Sequence, residues 1–384
     1  MPSDLSGQPV PRAAYIHVPF CVHRCGYCDF TVVAGREDLI PAYLEALELE
    51  LRRELIKPHA VETLFLGGGT PTRLSAKELE QLLNLLAEWL PLNPGGEYSI
   101  EANPGNFYPD QMAVLKLAGV NRISLGVQSF RSRELQLLER DHTAEDVSKV
   151  FSQLREAGFQ NIGIDLIYGV PGQSLSDWNL NLELALQLEP EHVSTYGLTF
   201  EKGTTYWGRL IRGNLQRVDE ELERSMYGLA MDRLPAAGLL QYELSNYAKP
   251  GFASRHNQVY WNAQPYFGFG PGAAAFDAVA RHVRHRSTTT WIRRTLAGQC
   301  GVMESEQLSP DLHSREAIML GLRKIEGICK KSYQQRFGYS VRDVSPQSFD
   351  AMQHTGWLEE TRTHVRLTRE GRFVADTVMA EFLA

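Results

Sequence analysis

The sequence predicts an α/β fold: a partial (βα)6 barrel of TIM type followed by a C-terminal winged-helix-like α+β module. Three observations lead there. Six short strand-like runs alternate with amphipathic helical stretches, unusual polar clusters stand where those runs end, and the rhythm changes near residue 305. In open or barrel-shaped parallel sheets the loops leaving the carboxyl ends of strands carry the site, so one site at the barrel mouth accounts for all the clusters together.

Residues 14–18 read as the first strand, and Ile40, Tyr43, Leu44, Leu47, Leu51 and Leu55 then recur at helical spacing. Residues 63–66 form the second strand and run into Gly67-Gly68-Gly69-Thr70-Pro71-Thr72; Leu79, Leu82, Leu83 and Leu86 mark the next helix. Residues 98–101, 122–127, 161–167 and 192–196 are the third to sixth strands, each preceded by a helical stretch. Gly119 and Gly158 fall where helix C-caps belong. Past residue 305, helical patterns at 314–324, 330–337 and 346–356 precede strand-like pieces at 358–361 and 364–367 and a closing helix. The expected division is 1–12 as an N-terminal tail, 13–245 as the partial barrel, 246–304 as a connecting, barrel-closing segment, and 305–384 as the winged-helix-like domain. Mixed charge on that last domain favours a lid or partner surface over a DNA reader.

The chain has 384 residues, 43% of them hydrophobic, and a formal net charge of −7, which removes any global electrostatic case for a nucleic-acid partner or an anionic membrane. No run approaches the roughly eighteen apolar residues of a spanning helix, and residues 1–11 are polar with no apolar signal core. The expectation is a cytoplasmic chain with reduced thiols, no nucleic-acid partner and no transmembrane segment.

Cys21, Cys25 and Cys28 form a C-x3-C-x2-C loop just past the first strand. Three thiolates within eight residues can hold three irons of a cubane 4Fe-4S cluster and leave the fourth iron open to a ligand. A structural zinc site wants four ligands, and the remaining cysteines, Cys300 and Cys329, are distant and lack paired spacing, so they read as plain thiols. His17 or His23 could complete a Cys3His site, which keeps a zinc-stabilised binding module as an alternative; otherwise both histidines read as loop packing. An odd cysteine count argues against a disulfide framework.

The other strand-end residues each have a physical task. Gly68 and Gly69 permit close backbone approach, with N–H and C=O groups offered to the ends of a small ligand. Glu101 can accept from an ammonium or from ribose hydroxyls, against the alternative of a solvated rim carboxylate. Gln128 ends an otherwise apolar strand, an expensive place for an unpartnered amide. Asp165 interrupts an apolar run and needs a donor. Arg140 can fork onto a carboxylate or merely cap a helix end.

The cysteine loop followed by Gly-Gly-Thr-Pro resembles radical S-adenosyl-L-methionine (SAM) enzymes, which bind SAM at the open iron and cleave it reductively to a 5′-deoxyadenosyl radical. More narrowly, Tyr-Ile-His-Val-Pro-Phe-Cys21, Leu-Gly-Gly-Gly-Thr-Pro-Thr72, Ser-Ile-Glu-Ala-Asn-Pro104, Gly-Val-Gln-Ser-Phe130 and Asp-Leu-Ile-Tyr-Gly-Val-Pro-Gly172 resemble the oxygen-independent coproporphyrinogen III oxidase group, from about Tyr15 to the C-terminus. The resemblance implies Cys21, Cys25 and Cys28 as cluster ligands and places Tyr15, Tyr27, Gly68, Gly69, Thr70, Glu101, Gln128, Arg140 and Asp165 around SAM. It assigns no catalytic residue.

One departure separates branches of that group. The decarboxylating oxidases carry a further cysteine two residues after the third cluster ligand, and Phe30 stands there in this chain. The form resembles the heme chaperone branch, whose H-N-x-x-Y-W motif matches His256, Asn257, Tyr260 and Trp261. By that resemblance His256 is a candidate axial ligand for heme, with Tyr260 and Trp261 flanking the macrocycle; alternatively the motif only shapes the barrel mouth. The implied function is a SAM- and 4Fe-4S-binding heme chaperone that passes heme to clients such as respiratory enzymes or heme-storage proteins. Radical decarboxylation of a porphyrinogen is the alternative, and SAM cleavage and a homodimer stay open. Residues 268–273 are expected to be a loop closing one side of the SAM pocket, and the basic stretch 281–286 a solvated or domain-facing turn, with heme propionates as its other reading.

Overall fold

The computed structural model describes residues 10–383. Residues 1–9 of the expected N-terminal tail, and Ala384, lie outside the described residues.

Six parallel strands carry the fold: β1 (Ala13–Val18), β2 (Val61–Gly68), β3 (Leu92–Ala102), β4 (Arg122–Gln128), β5 (Ile162–Tyr168) and β6 (His192–Gly197). They lie side by side in chain order, extended beyond β6 by the antiparallel pieces Asn246–Ala248 and Leu240–Gln241 and beyond β1 by Phe267–Phe269. The order is linear, so the barrel is partial. Alternation along each strand sorts the side chains. In β4, Ile123, Leu125 and Val127 are fully buried under the helices, while Arg122, Ser124, Gly126 and Gln128 take the other face.

The covering helices begin where the sequence provides caps. Ser75 with Glu78, Thr143 with Asp146 and Ser174 with Asp177 form capping boxes that open Ala76–Trp89, Ala144–Glu156 and Leu175–Gln187. Gly119 and Gly158 have φ of +85° and +86° just past helix ends, as their C-cap reading requires. Ile40–Leu55 buries Tyr43, Leu44, Leu47 and Leu51 against the sheet, the same stripe read from the sequence.

Two expectations are corrected. Of residues 268–273, Gly268 and Phe269 belong to the strand Phe267–Phe269, paired in parallel with β1, while 270–273 form the expected loop; the otherwise open edge of β1 supplies the strand's hydrogen bonds. Gly270, at φ +92°, follows this strand so closely that an added Cβ would meet the His17 carbonyl oxygen at 2.5 Å. The basic stretch 281–286 is not a turn: Ala280–Arg284 is the middle strand of an antiparallel sheet with Ala274–Phe276 and Val302–Gln307.

Arg284 is 1% exposed and donates to Glu50 (2.8 Å) and Glu54. Glu50, fully buried, also accepts from Trp291 Nε1 at 3.0 Å and from the Gly270 amide at 2.8 Å. Glu50→Ala strands three buried donors and should cost about 3–5 kcal/mol, whereas Glu50→Gln, which keeps an acceptor oxygen in place, should cost less; chemical denaturation reads both.

The C-terminal part packs Pro310–Leu322, Lys330–Phe337 and Pro346–His354 around Ile318, Phe349, Val378 and Phe382. Its sheet has three strands, because Ile328–Cys329 joins His364–Leu367 beside Leu358–Glu360. Two residues are too few to show a period, so the sequence displays only the hairpin. The closing helix is split into Arg369–Phe373 and Ala375–Ala380.

Candidate functional site

The cysteine loop leaves β1 and is fastened to the rim from below. Glu139 accepts from the Gly26 amide (2.9 Å) and pairs with His23 (2.9 Å) and Arg209 (2.9 Å), while the Tyr206 amide donates to the Gly26 carbonyl (2.8 Å). Gly26 is required there, since a Cβ would lie 2.6 Å from the Tyr206 ring. All three loop cysteines are unpaired and half-buried, as is Cys329, whereas Cys300 is exposed.

Burial first, then the neighbouring thiols, pushes Cys21 up to about 11 and also raises Cys28, with Thr70 Oγ1 at 3.7 Å from Cys21 Sγ acting in the opposite direction. The loop is therefore built to lose protons to a positive centre rather than to hold free thiolates. Arg140 directs Nη1 to Cys25 Sγ at 3.9 Å and Nη2 to the Gly126 carbonyl at 3.0 Å, while its buried Nε has no partner. Among the described residues no trio of histidine, cysteine or carboxylate groups is gathered closely enough for a single metal ion. Three soft donors beside a fixed cation fit an iron–sulfur cluster, which spreads its ligands wider and carries negative charge.

The amides of the glycine segment donate within the protein. Gly68 (φ +105°) gives its N–H to Glu101 Oε2 at 2.9 Å, Gly69 to the Val18 carbonyl at 2.9 Å, and Thr70 to the Phe20 carbonyl at 2.8 Å. The expectation that these amides face a ligand is thus not met in this geometry. A Cβ at Gly68 would fall 2.3 Å from the His17 ring, and one at Gly69 2.7 Å from the Val18 carbonyl oxygen. His17 is packed in place, with Nδ1 3.1 Å from the Tyr15 hydroxyl and Nε2 2.6 Å from the Thr31 carbonyl.

Inside the strands lies a cavity of about 200 Å³ whose lining includes Tyr15, Glu101, Arg122, Asp165, His256 and Tyr260. Glu101 and Asp165 are enclosed by protein yet open onto this cavity. Burial, reinforced by the nearby Asp165 carboxylate, raises Glu101 to about 7 against the pull of the Gly68 amide. Asp165 is raised by burial and countered by Ser194, Arg122 and Ser124, whose Oγ donates at 3.0 Å. The cavity thus presents acceptors to a cationic or hydroxyl-bearing ligand, as SAM is.

The nine residues placed around SAM fall into groups. Tyr15, Glu101 and Asp165 line the cavity, with Gly68 bonded to Glu101. Thr70 and Arg140 touch the cysteine loop, and Tyr27 packs against Tyr206 with centroids 6.1 Å apart. Gln128 ends β4 with φ +66°, an unusual conformation for a residue other than glycine. Gly69 only permits the close crossing under the loop.

Ser254 caps the helix Arg255–Trp261, and Glu97 accepts from the Arg255 and His256 amides at 2.8 and 3.1 Å. His256 is 1% exposed, with Nδ1 2.9 Å from Thr63 Oγ1 and Nε2 2.7 Å from the Tyr260 hydroxyl. Burial lowers it to about 3, so the ring is neutral. Both nitrogens are engaged, and an iron could reach Nε2 only by displacing Tyr260. Trp261 instead lies under the Arg323 guanidinium, 4.5 Å from the ring centre. The three motif residues do not share one face.

Arg122, Ser124, His192 and Ser194 also line the cavity. The sequence reading missed them, although polar residues at alternate positions of β4 and β6 carried the signal.

A parallel half-barrel with three thiols at its mouth above an acceptor-lined cavity defines a radical SAM protein. The profile of the Radical SAM superfamily matches residues 15–185, and that of the HemN C-terminal domain matches residues 308–374. The chain is 35% identical to the heme chaperone HemW of Bacillus subtilis (strain 168), across 97% of this chain and 99% of that one. It is 32% identical to the heme chaperone HemW of Escherichia coli (strain K12), across 97% and 98%. It is also 31% identical to the mitochondrial radical S-adenosyl methionine domain-containing protein 1 of Bos taurus, across 100% and 91%. The chain belongs to the radical SAM superfamily, in the family formed by these relatives. In fold it resembles the solved coproporphyrinogen III oxidase HemN of Escherichia coli, with a TM-score of 0.85 at 21% identity over 97% of this chain and 90% of that one. Membership implies SAM and a 4Fe-4S cluster as cofactors. Among the described residues no helix is long and apolar enough to cross a membrane.

Proposed function

We propose that this protein is a cytoplasmic heme chaperone that binds SAM and a 4Fe-4S cluster, takes up heme and hands it to heme-dependent clients. The observation that carries this reading is Phe30. It stands two residues after Cys28, 60% exposed at the lip of the loop, where the decarboxylating members place a further cysteine. The HemW relatives, alike over nearly their full length, support it. Cys21, Cys25 and Cys28 then hold the cluster, with Arg140 balancing its charge, and Tyr15, Glu101 and Asp165 receive SAM. Such a cluster, when bound, supplies an open iron for the amino acid end of SAM and an electron for its reductive cleavage.

Hemin titration of the cluster-loaded protein tests this. A saturable Soret shift is expected, together with no protoporphyrinogen from coproporphyrinogen III, SAM and reductant. Absence of the shift removes the chaperone reading, and turnover of coproporphyrinogen replaces it with decarboxylation.

A further inference from the structure

Arg122 opens β4, about 20 Å of strand below Gln128 at the rim, and is 2% exposed. It makes no hydrogen bond or ion pair among the described residues, and its Nε is buried without a partner. Its side chain lines the cavity of about 200 Å³ inside the strands. A buried charge is costly unless an opposite charge and hydrogen bonds meet it, so a guanidinium kept in such a place calls for an anion.

The acids that could meet it are engaged elsewhere. Asp165 and Glu101 are near enough for its charge to favour their ionised forms, yet neither pairs with it. Asp165 accepts from Ser124 at 3.0 Å and Glu101 from the Gly68 amide at 2.9 Å, and both are residues that receive SAM. Glu97, two residues before Ser99, which stands opposite Arg122 in the β3–β4 pair, gives its oxygens to the Arg255 and His256 amides at 2.8 and 3.1 Å. The cavity lining holds a second spare donor. The Tyr242 hydroxyl accepts from the Ser254 amide at 3.3 Å and turns its hydrogen to His192 Nε2 at 2.8 Å, so the ring proton is assigned to Nδ1, which is buried with no partner. Burial and the charge of Arg122 keep that ring neutral.

We propose that Arg122 is the anion-binding residue of the barrel, taking the carboxylate of a second ligand that enters the cavity beside SAM, with His192 Nδ1 donating to the same group. A guanidinium forks onto a carboxylate through two parallel hydrogen bonds, which meets the charge and the spare donors together. The carboxylate of SAM is not that anion, because its amino acid end belongs at the open iron beside the cysteine loop, where Arg140 stands. The volume suits a short carboxylate arm. Such an arm has two sources: a free short-chain acid, or a propionate of porphyrin cargo, the second resting on the chaperone reading.

Two titrations of the protein loaded with cluster and SAM test the site and separate the sources. In the first, sodium propionate against sodium chloride at equal ionic strength should raise the melting temperature of wild type by about 1 °C or more, a rise absent in Arg122→Gln and partly kept in Arg122→Lys, which retains the charge. In the second, hemin should bind wild type about tenfold or more tightly than hemin dimethyl ester, and Arg122→Gln should bind the two alike. Cluster absorption checks that both variants are folded. Loss of the ester penalty in Arg122→Gln assigns the site to porphyrin cargo, and a propionate response alone assigns it to a free short-chain acid. Wild type indifferent to both, or responses that survive intact in Arg122→Gln, overturn the proposal. Wild type that binds no hemin but answers propionate through Arg122 removes the chaperone reading and leaves the anion site standing.

Discussion

Anaerobically reconstituted protein with Cys21, Cys25 and Cys28 all changed to serine will show none of the broad visible absorption of wild type and none of its about four irons per chain. It will keep its far-ultraviolet circular dichroism. The reason for the first outcome is the donor set: among the described residues no other cysteine stands beside the loop, His17 is tied to Tyr15 and Thr31, and His23 is paired with Glu139. The reason for the second is that the loop is held by Glu139, Arg209 and the Tyr206 amide rather than by its thiols. Because Cys21 is raised to about 11 by burial, cluster assembly must release protons, so the rate of reconstitution should rise with pH. Stoichiometric zinc without sulfide in the wild type would replace the cluster by the zinc-stabilised module.

Glu101→Gln should abolish measurable SAM binding and remove a pH dependence that wild type shows. With its acid raised to about 7 by burial and by Asp165, Glu101 is mostly a carboxylate at pH 8 and mostly a neutral acid at pH 6. In its proposed role of receiving SAM, Glu101 acts as the carboxylate, so wild-type affinity should fall by about tenfold between those pH values. Stability of the SAM-free protein runs the other way. Between the ordinary carboxylate range and about 7 the native state binds a proton that the unfolded chain has lost, so this residue makes the protein less stable as pH rises through that window. Glu101→Gln should therefore raise the melting temperature at pH 8 while destroying binding, a pairing that a misfolded variant cannot show. Isothermal titration and thermal denaturation at both pH values measure it.

Much of the scaffold was legible because its causes are local. Strand runs, helical spacing and C-cap glycines are patterns set by residues within a few positions of one another, and the helices at Ile40–Leu55 and Lys330–Phe337 stand where the spacing put them. The strand at Phe267–Phe269 was not legible, since three residues take strand form only because β1 offers an edge. Nor was the burial of Arg284, which depends on two carboxylates more than 200 positions away, on Ile40–Leu55.

The same division runs through the site. By itself the sequence determined the α/β alternation, the three-cysteine loop, the strand-end placement of Glu101, Gln128 and Asp165, and the absence of a fourth cysteine at Phe30. These are matters of residue type and spacing. Tertiary structure alone decided that the glycine amides are spent inside the protein, that Arg122 and Ser194 join the cavity, and that His256 is locked between Thr63 and Tyr260. It also paired Arg281 with Glu316 and Arg284 with Glu50. A hydrogen-bonding or charged group is available to a ligand only if no partner from a distant segment has taken it, and that depends on how segments far apart in the chain are brought together.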